Sequence, residues 1–183
     1  MHLYIVHGYA ASPNDHWFPW LKNELEKRGT TVSIINLPAP DAPQPEAWQR
    51  TLEREITELN EDTYFVAHSL GCLALLRFLE SRSADTKVGG YVLVSGFNAP
   101  LSILPQLDGF HKPDLDYDKL MQMTNQRTVI AARDDTIVPF MLSQELAHFL
   151  DARFIAVERG NHFMASDGFT EFPLVLDALG QGN

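Results

Sequence analysis

Short runs dominated by apolar residues alternate along this chain with segments whose apolar positions recur at helical spacing. Leu3-Tyr4-Ile5-Val6 is the first such run, and Thr31 to Asn36, Tyr64 to Ala67, Val88 to Ser95, Arg127 to Ala132 and Arg153 to Glu158 follow. Between them, Asp15 to Arg28 reads as a helix with Pro19 near its first turn and Gly29 closing it. Glu46 to Leu59 reads as an amphipathic helix, because Trp48, Leu52, Ile56 and Leu59 share one face. Further helices are predicted from the turn after Ala67 to about Glu80, over Phe140 to Leu150 and over Phe169 to Leu179, with Gly180 to Asn183 fraying. Leu37 to Pro45 carries four prolines and reads as a loop, and Ser81 to Lys87 as a polar linker. Only Phe97 to Gln126 breaks the rhythm.

Continuous apolar strands alternating with helices specify an α/β protein: a parallel sheet covered on both faces. Right-handed crossovers then place the loops after the strands along one edge, where ligands bind in such sheets. At 183 residues the chain is expected to form one domain, 1–183, with 97–126 as an irregular excursion near that edge.

The candidate chemistry lies in those loops. Tyr64-Phe65-Val66-Ala67 runs into His68-Ser69-Leu70-Gly71, and an apolar helix begins at once. This is the strand, sharp turn and helix of a nucleophile elbow, with Ala67 in place of the first glycine of G-x-S-x-G. Ser69 at its apex also stands at a helix N-terminus, where free N–H groups favour developing negative charge. A serine needs a base. Of seven histidines, His162 follows the sixth strand in Gly160-Asn161-His162-Phe163 and fits the chain order Ser, Asp, His. His68 and His7 read as structural, the latter beside the expected oxyanion loop. His2, His16, His111 and His148 have no placement that links them to Ser69. For the acid that orients the base, Asp134 and Asp135 compete after the fifth strand, and Asp135 is preferred because it lies four residues before Pro139. The oxyanion donors are expected to be the backbone N–H of Leu70 and that of Tyr9, with Ala10 in reserve. A histidine base fails once protonated, so activity is expected to fall at acid pH, through roughly pH 6–7 for an ordinary imidazole.

Composition narrows the partners. A formal net charge of -10 argues against nucleic acid and anionic membrane surfaces. No apolar stretch is long enough to span a membrane. The single cysteine, Cys72, permits no intrachain disulfide, and a first strand beginning at residue 3 leaves no room for a leader ahead of it. The expected setting is cytoplasmic. No Cys/His cluster has zinc spacing, and the glycines form no phosphate loop or dinucleotide fingerprint. Asp114-Leu115-Asp116-Tyr117-Asp118 begins like a calcium loop, but Lys119 and Asn125 stand where the glycine and glutamate are required; it reads as a solvated acidic loop. No cofactor or metal is expected.

Together, His7-Gly8-Tyr9 with His16-Trp17, Leu37-Pro38-Ala39-Pro40, Trp48, His68-Ser69-Leu70-Gly71, Val94-Ser95-Gly96, Asp134-Asp135 with Val138-Pro139, and Gly160-Asn161-His162-Phe163 resemble the α/β-hydrolase superfamily. More narrowly, they are similar to its small serine hydrolases of the YdeN and retinoblastoma-binding protein 9 type. The resemblance implies a three-layer sandwich of about six mostly parallel strands in the order 2-1-3-4-5-6, without a full lid domain. It implies Ser69 as nucleophile, Asp135 as orienting acid and His162 as base but supplies no substrate; the leading expectation is a carboxylesterase acting on a small acyl substrate. Thioester or peptide cleavage on the same triad, or a protein-binding module without turnover, are the alternatives. The excursion is expected either to wall the acyl pocket and move, or to be a packed connection. Trp17, Phe97 and Phe163 are expected to border the substrate.

Overall fold

A computed structural model of the chain describes residues 1–180; of the stretch expected to fray, Gly180 instead ends the last helix, and 181–183 lie outside the described residues. Six strands, β1 (His2–Val6), β2 (Thr31–Ile35), β3 (Thr63–His68), β4 (Gly90–Val94), β5 (Arg127–Ala132) and β6 (Arg153–Val157), form one sheet in the order 2-1-3-4-5-6. Every pairing is parallel, with Val6 opposite Ala67, and His68 opposite Val94, near the carboxyl edge. Burial on both faces explains why the inner strands β1, β3, β4 and β5 read as continuous apolar runs, whereas the edge strands β2 and β6 are partly exposed.

Alternation along each strand divides the core into two layers. Tyr4, Val6, Phe65, Ala67, Leu93 and Val129 face one layer, with α2 (Pro45–Glu55), α3 (Leu70–Glu80), α4 (Tyr117–Met123) and α5 (Phe140–Phe149) packed on it. Leu3, Ile5, Val66, Val92, Val94 and Ile130 face the other, which α1 (Phe18–Glu26) and α6 (Pro173–Gly180) cover. Nine residues of α3 are buried, so this helix has no polar face, and it starts directly after Ser69.

Several boundaries differ from expectation. Helix α1 begins at Phe18, three residues late, because the Asp15 carboxylate accepts the Ser12 N–H and closes a turn there. Helix α2 stops at Glu55, since Ile56 turns to extended backbone; Leu59 packs on the core from outside the helix. Strand β4 is shorter at both ends, and α6 starts at Pro173, after a turn of 3₁₀ helix at Ala165–Asp167. The excursion is more ordered than predicted. It contains a 3₁₀ segment, Pro105–His111, and helix α4, and it buries Phe97, Leu101, Leu107, Phe110, Leu120 and Met123. The acidic stretch is no solvated loop throughout: the Asp116 carboxylate caps α4 by accepting the Lys119 N–H at 3.0 Å. No cluster of three or more potential metal ligands exists among the described residues. Nor does any described helix have the length and apolarity to cross a membrane.

Candidate active site

The turn between β3 and α3 holds Ser69 at φ 55° and ψ -125°, a region that costs a non-glycine residue about 1–3 kcal/mol. Its N–H donates to the Val94 carbonyl and its carbonyl accepts the Cys72 N–H, so sheet and helix both anchor the strained residue. Such a sharp turn brings α3 against β1. A Cβ on Gly71 would lie 2.4 Å from the His7 carbonyl oxygen and 2.6 Å from that of Val6, so no larger residue fits there without backbone movement. Gly8 meets the same limit from the other side, 2.9 Å from the His68 carbonyl.

Ser69 Oγ lies 2.9 Å from His162 Nε2, and His162 Nδ1 lies 2.9 Å from Asp135 Oδ2. All three side chains are buried or nearly so. With Asp135 ionised, Nδ1–H donates to the carboxylate and Nε2 is left to accept the serine proton. Asp135 itself is fixed through Oδ1, which accepts the N–H groups of Ile137 at 2.8 Å and Val138 at 2.9 Å. Asp134 points elsewhere. Its Oδ1 accepts the N–H groups of Gly160 and Asn161, which hold its carboxyl below the usual carboxylate range, the Asn161 bond most strongly. Asn161 reciprocates: its Oδ1 accepts from the N–H and hydroxyl of Thr136. The two adjacent aspartates therefore divide the work, one meeting the histidine ring and the other tying the histidine's loop to the acid's loop.

The loop after β1 is held by His7. The Leu37 N–H donates to His7 Nε2, which places the ring proton on Nδ1, and this donates to the Gly8 carbonyl at 2.9 Å. Burial keeps His7 below the usual histidine range and hence neutral near pH 7. Trp48 braces the same region edge-on to His7 and donates to the Pro38 carbonyl. The Ala10 N–H donates to the Pro40 carbonyl, which removes it as an oxyanion donor. The N–H groups of Tyr9 and Leu70 have no backbone or side-chain acceptor among the described residues.

Three expected pocket residues are placed otherwise. Trp17, Phe97 and Phe163 are each 0% exposed, so none offers a surface to a ligand. Trp17 and Phe163 sit with Phe172 in the aromatic cluster beneath α1 and α6, and Phe97 packs against His111 under the excursion. Two histidines were undervalued by sequence. His68 donates from Nε2 to the His162 carbonyl at 2.8 Å, and His16, set aside as unlinked, accepts the Ala165 N–H and packs edge-on against His68. The signals available were the adjacency of His68 to Ser69 and, for His16, its place beside Trp17 in the set of motifs that carries the resemblance.

Two concavities matter. The larger, about 400 Å³, lies between α2, α3 and the 3₁₀ segment, lined by Gln49, Arg50, Ala74, Arg77 and Phe110, and includes no member of the Ser69, His162, Asp135 chain. A smaller one of about 190 Å³ lies between Pro100 to Ile103 of the excursion and Thr136, Ile137 and Pro139, directly after Asp135. The excursion also reaches the loop after β1, where Gln106 Nε2 donates to the Tyr9 hydroxyl.

Residues 3–181 match the protein-family model described as serine hydrolase. The chain is 46% identical over 177 residues to YdeN of Bacillus subtilis (strain 168), covering 97% of this chain and 93% of YdeN. The solved structure of the ydeN gene product superposes with a TM-score of 0.96 over 99% of this chain and 97% of that one, at 45% identity. Serine hydrolase RBBP9 of Rattus norvegicus is 24% identical over 165 residues, 89% of this chain and 86% of RBBP9. A Xanthomonas campestris pv. campestris protein of the alpha/beta superfamily shares the fold alone: TM-score 0.63 and 19% identity over 99% of this chain and 95% of that one.

Proposed function

We propose that this chain, which belongs to the serine hydrolase family, cleaves carboxylic esters of short acyl groups through Ser69, His162 and Asp135. The observation that carries the reading is the unbroken chain of two 2.9 Å hydrogen bonds from Ser69 Oγ through both nitrogens of His162 to Asp135. Ser69 Oγ attacks the ester carbonyl while its proton passes to His162 Nε2. The carbonyl oxygen becomes an oxyanion facing the N–H groups of Leu70 and Tyr9. The C–O bond to the alcohol breaks, and the alcohol leaves with the proton from His162. Water then attacks the acyl-enzyme, giving one proton to His162 Nε2; this returns to Ser69 Oγ as the acid departs. Asp135 stabilises the imidazolium in both halves and stays ionised.

The acyl group is assigned to the cleft between Pro100 to Ile103 and Thr136 to Pro139. At about 190 Å³ it falls below the roughly 300–1,000 Å³ of sites for drug-sized ligands, which favours short chains. Pro100, Ile103, Ile137 and Pro139 give it apolar walls suited to an aliphatic acid, with Ser102 and Thr136 as polar members of the lining. A reducing, cytoplasmic setting is compatible with the buried free thiol of Cys72, which burial pushes well above the usual thiol range. The test is a panel of p-nitrophenyl esters from acetate to decanoate, with thioester and anilide counterparts, on the unchanged protein and Ser69→Ala. Turnover of the short esters that vanishes in Ser69→Ala is expected. Turnover confined to the anilides would replace the ester reading with a peptidase one, and turnover that survives Ser69→Ala would overturn the nucleophile.

A further inference from the structure

The base sits on irregular backbone. His162 is flanked by Asn161 at φ 45° and Phe163 at φ 55°, both in a region that non-glycine residues adopt only under constraint. No helix or strand fixes the carbonyls of this stretch, yet two consecutive ones are held by buried ring N–H groups. His68 Nε2–H donates to the His162 carbonyl at 2.8 Å, and Trp17 Nε1–H donates to the Phe163 carbonyl at 3.1 Å. The two donors come from different elements, the last residue of β3 and the residue before α1, and their rings meet edge-on at 6.0 Å.

The geometry points to His68 and Trp17 as positioning residues: a two-point clamp that sets the height of the His162 ring over Ser69. This rests on His162 being the base. His68 is the residue that precedes Ser69, so its hydrogen bond measures the base's backbone directly against the nucleophile's own turn. Along the sheet the two are separated by β4, β5, β6 and their loops, so the bond shortcuts a long path. An error of about 1 Å between reacting groups costs on the order of 10²-fold in rate, so one short bond across this gap has a large effect.

The clamp requires a neutral His68. A carbonyl can only accept, so the proton is on Nε2, and Nδ1 is buried with no partner among the described residues. Protonation there would leave an N–H in the core without an acceptor. The titratable groups facing the ring are His162, 4.8 Å away, His16 at 5.5 Å and, more remotely, His7. All would be opposed by a second positive charge, and the imidazolium that forms on His162 during acyl transfer most of all. Burial first, then the neighbouring His162 and His16, holds His68 well below the usual histidine range.

The test compares His68→Leu, which removes the donor, His68→Gln, which restores an N–H near the Nε2 position, and Trp17→Phe, which keeps an aromatic ring, though a smaller one, and removes Nε1–H. Each is made alone and together with His162→Ala. The readouts are kcat and KM on p-nitrophenyl acetate, with circular dichroism as the folding control. For His68→Leu, kcat is expected to fall about 10- to 100-fold with KM nearly unchanged, for Trp17→Phe somewhat less, and His68→Gln is expected to recover most of the loss. In the His162→Ala background, residual turnover is expected not to fall further, because a clamp acts only through the residue it positions. A folded His68→Leu with unchanged kcat would overturn the proposal. So would an equal loss in the His162→Ala background, or a His68→Gln no better than His68→Leu. If His68→Leu fails to fold, Trp17→Phe and His68→Gln decide alone. Full activity in His162→Ala by itself would instead refute the base, a separate result from any on His68.

Discussion

Replacing Asp135 with asparagine should do more than remove a charge. The Asp135 Oδ1 accepts two backbone N–H groups, from Ile137 and Val138, while Oδ2 accepts from His162 Nδ1. An asparagine has one acceptor oxygen. Two buried backbone donors compete for it against one ring nitrogen, and the ring can change tautomer whereas the backbone cannot. The amide NH₂ therefore faces His162, Nδ1 becomes the acceptor and the ring proton moves to Nε2. Nε2–H then points at Ser69 Oγ and can no longer take its proton. Loss of the correct tautomer in a serine triad costs on the order of 10⁴ in kcat, or about 5.4 kcal/mol of transition-state stabilisation. Asp134→Asn is the matched control. Its amide oxygen still accepts from Gly160 and Asn161, so activity should stay close to that of the unchanged protein. Steady-state rates on p-nitrophenyl acetate at pH 7.5 measure both. A fall of about 10³ or more in Asp134→Asn, with Asp135→Asn nearly unaffected, would refute the division of roles between the two carboxylates.

Gly71→Ala drives a methyl group into the backbone of His7 and Val6 and should cost about 1–3 kcal/mol, read as a melting point lowered by about 2–12 °C; no shift would contradict the packing of α3 on β1. Stability should fall as pH drops from 7.5 to 5.5. The folded state keeps His68 neutral while the unfolded chain protonates it, so protons favour unfolding below the unfolded value of 6.5; a histidine neutral throughout that interval contributes a loss of about 1.4 kcal/mol. Denaturant melts of the unchanged protein and His68→Gln at both pH values measure this, and equal slopes for the two would count against it. Ile103 is exposed at the mouth of the small cleft, so Ile103→Trp should leave acetate turnover nearly intact and depress that of octanoate about tenfold or more; equal effects on both would remove the acyl group from this cleft.

The frame was legible because its inner strands are buried on both faces. Runs such as Leu3 to Val6 and Tyr64 to Ala67 need no tertiary information to be recognised, and their alternation with helices leaves few topologies. The elbow was legible for a steric reason: Gly71 stands where a Cβ would meet the His7 and Val6 backbone, and the turn is preceded by the small residue Ala67. What periodicity could not supply was side-chain direction. Trp17 follows the β1 loop closely in sequence, but its ring turns inward to donate to Phe163, and a bordering position became a buried one. Phe163 and Phe97 were misjudged for the same reason, adjacency in sequence standing in for exposure. Between Asp134 and Asp135 the distinction lies in which backbone N–H groups each carboxylate meets, a matter of turn geometry. The excursion hid its helix because α4 spans only seven residues, too few for a helical period to stand out.

The central claim is that Ser69 is an activated nucleophile, and covalent labelling reads this without knowledge of the substrate. The folded protein is treated with a fluorophosphonate, its intact mass is measured, and the adduct is located by peptide mapping. A single adduct on Ser69, absent in Ser69→Ala and slowed in both His162→Ala and Asp135→Asn, is the expected result. An unmodified Ser69 in folded protein, or an adduct formed as fast without His162 as with it, would contradict the assignment of this site as a catalytic triad.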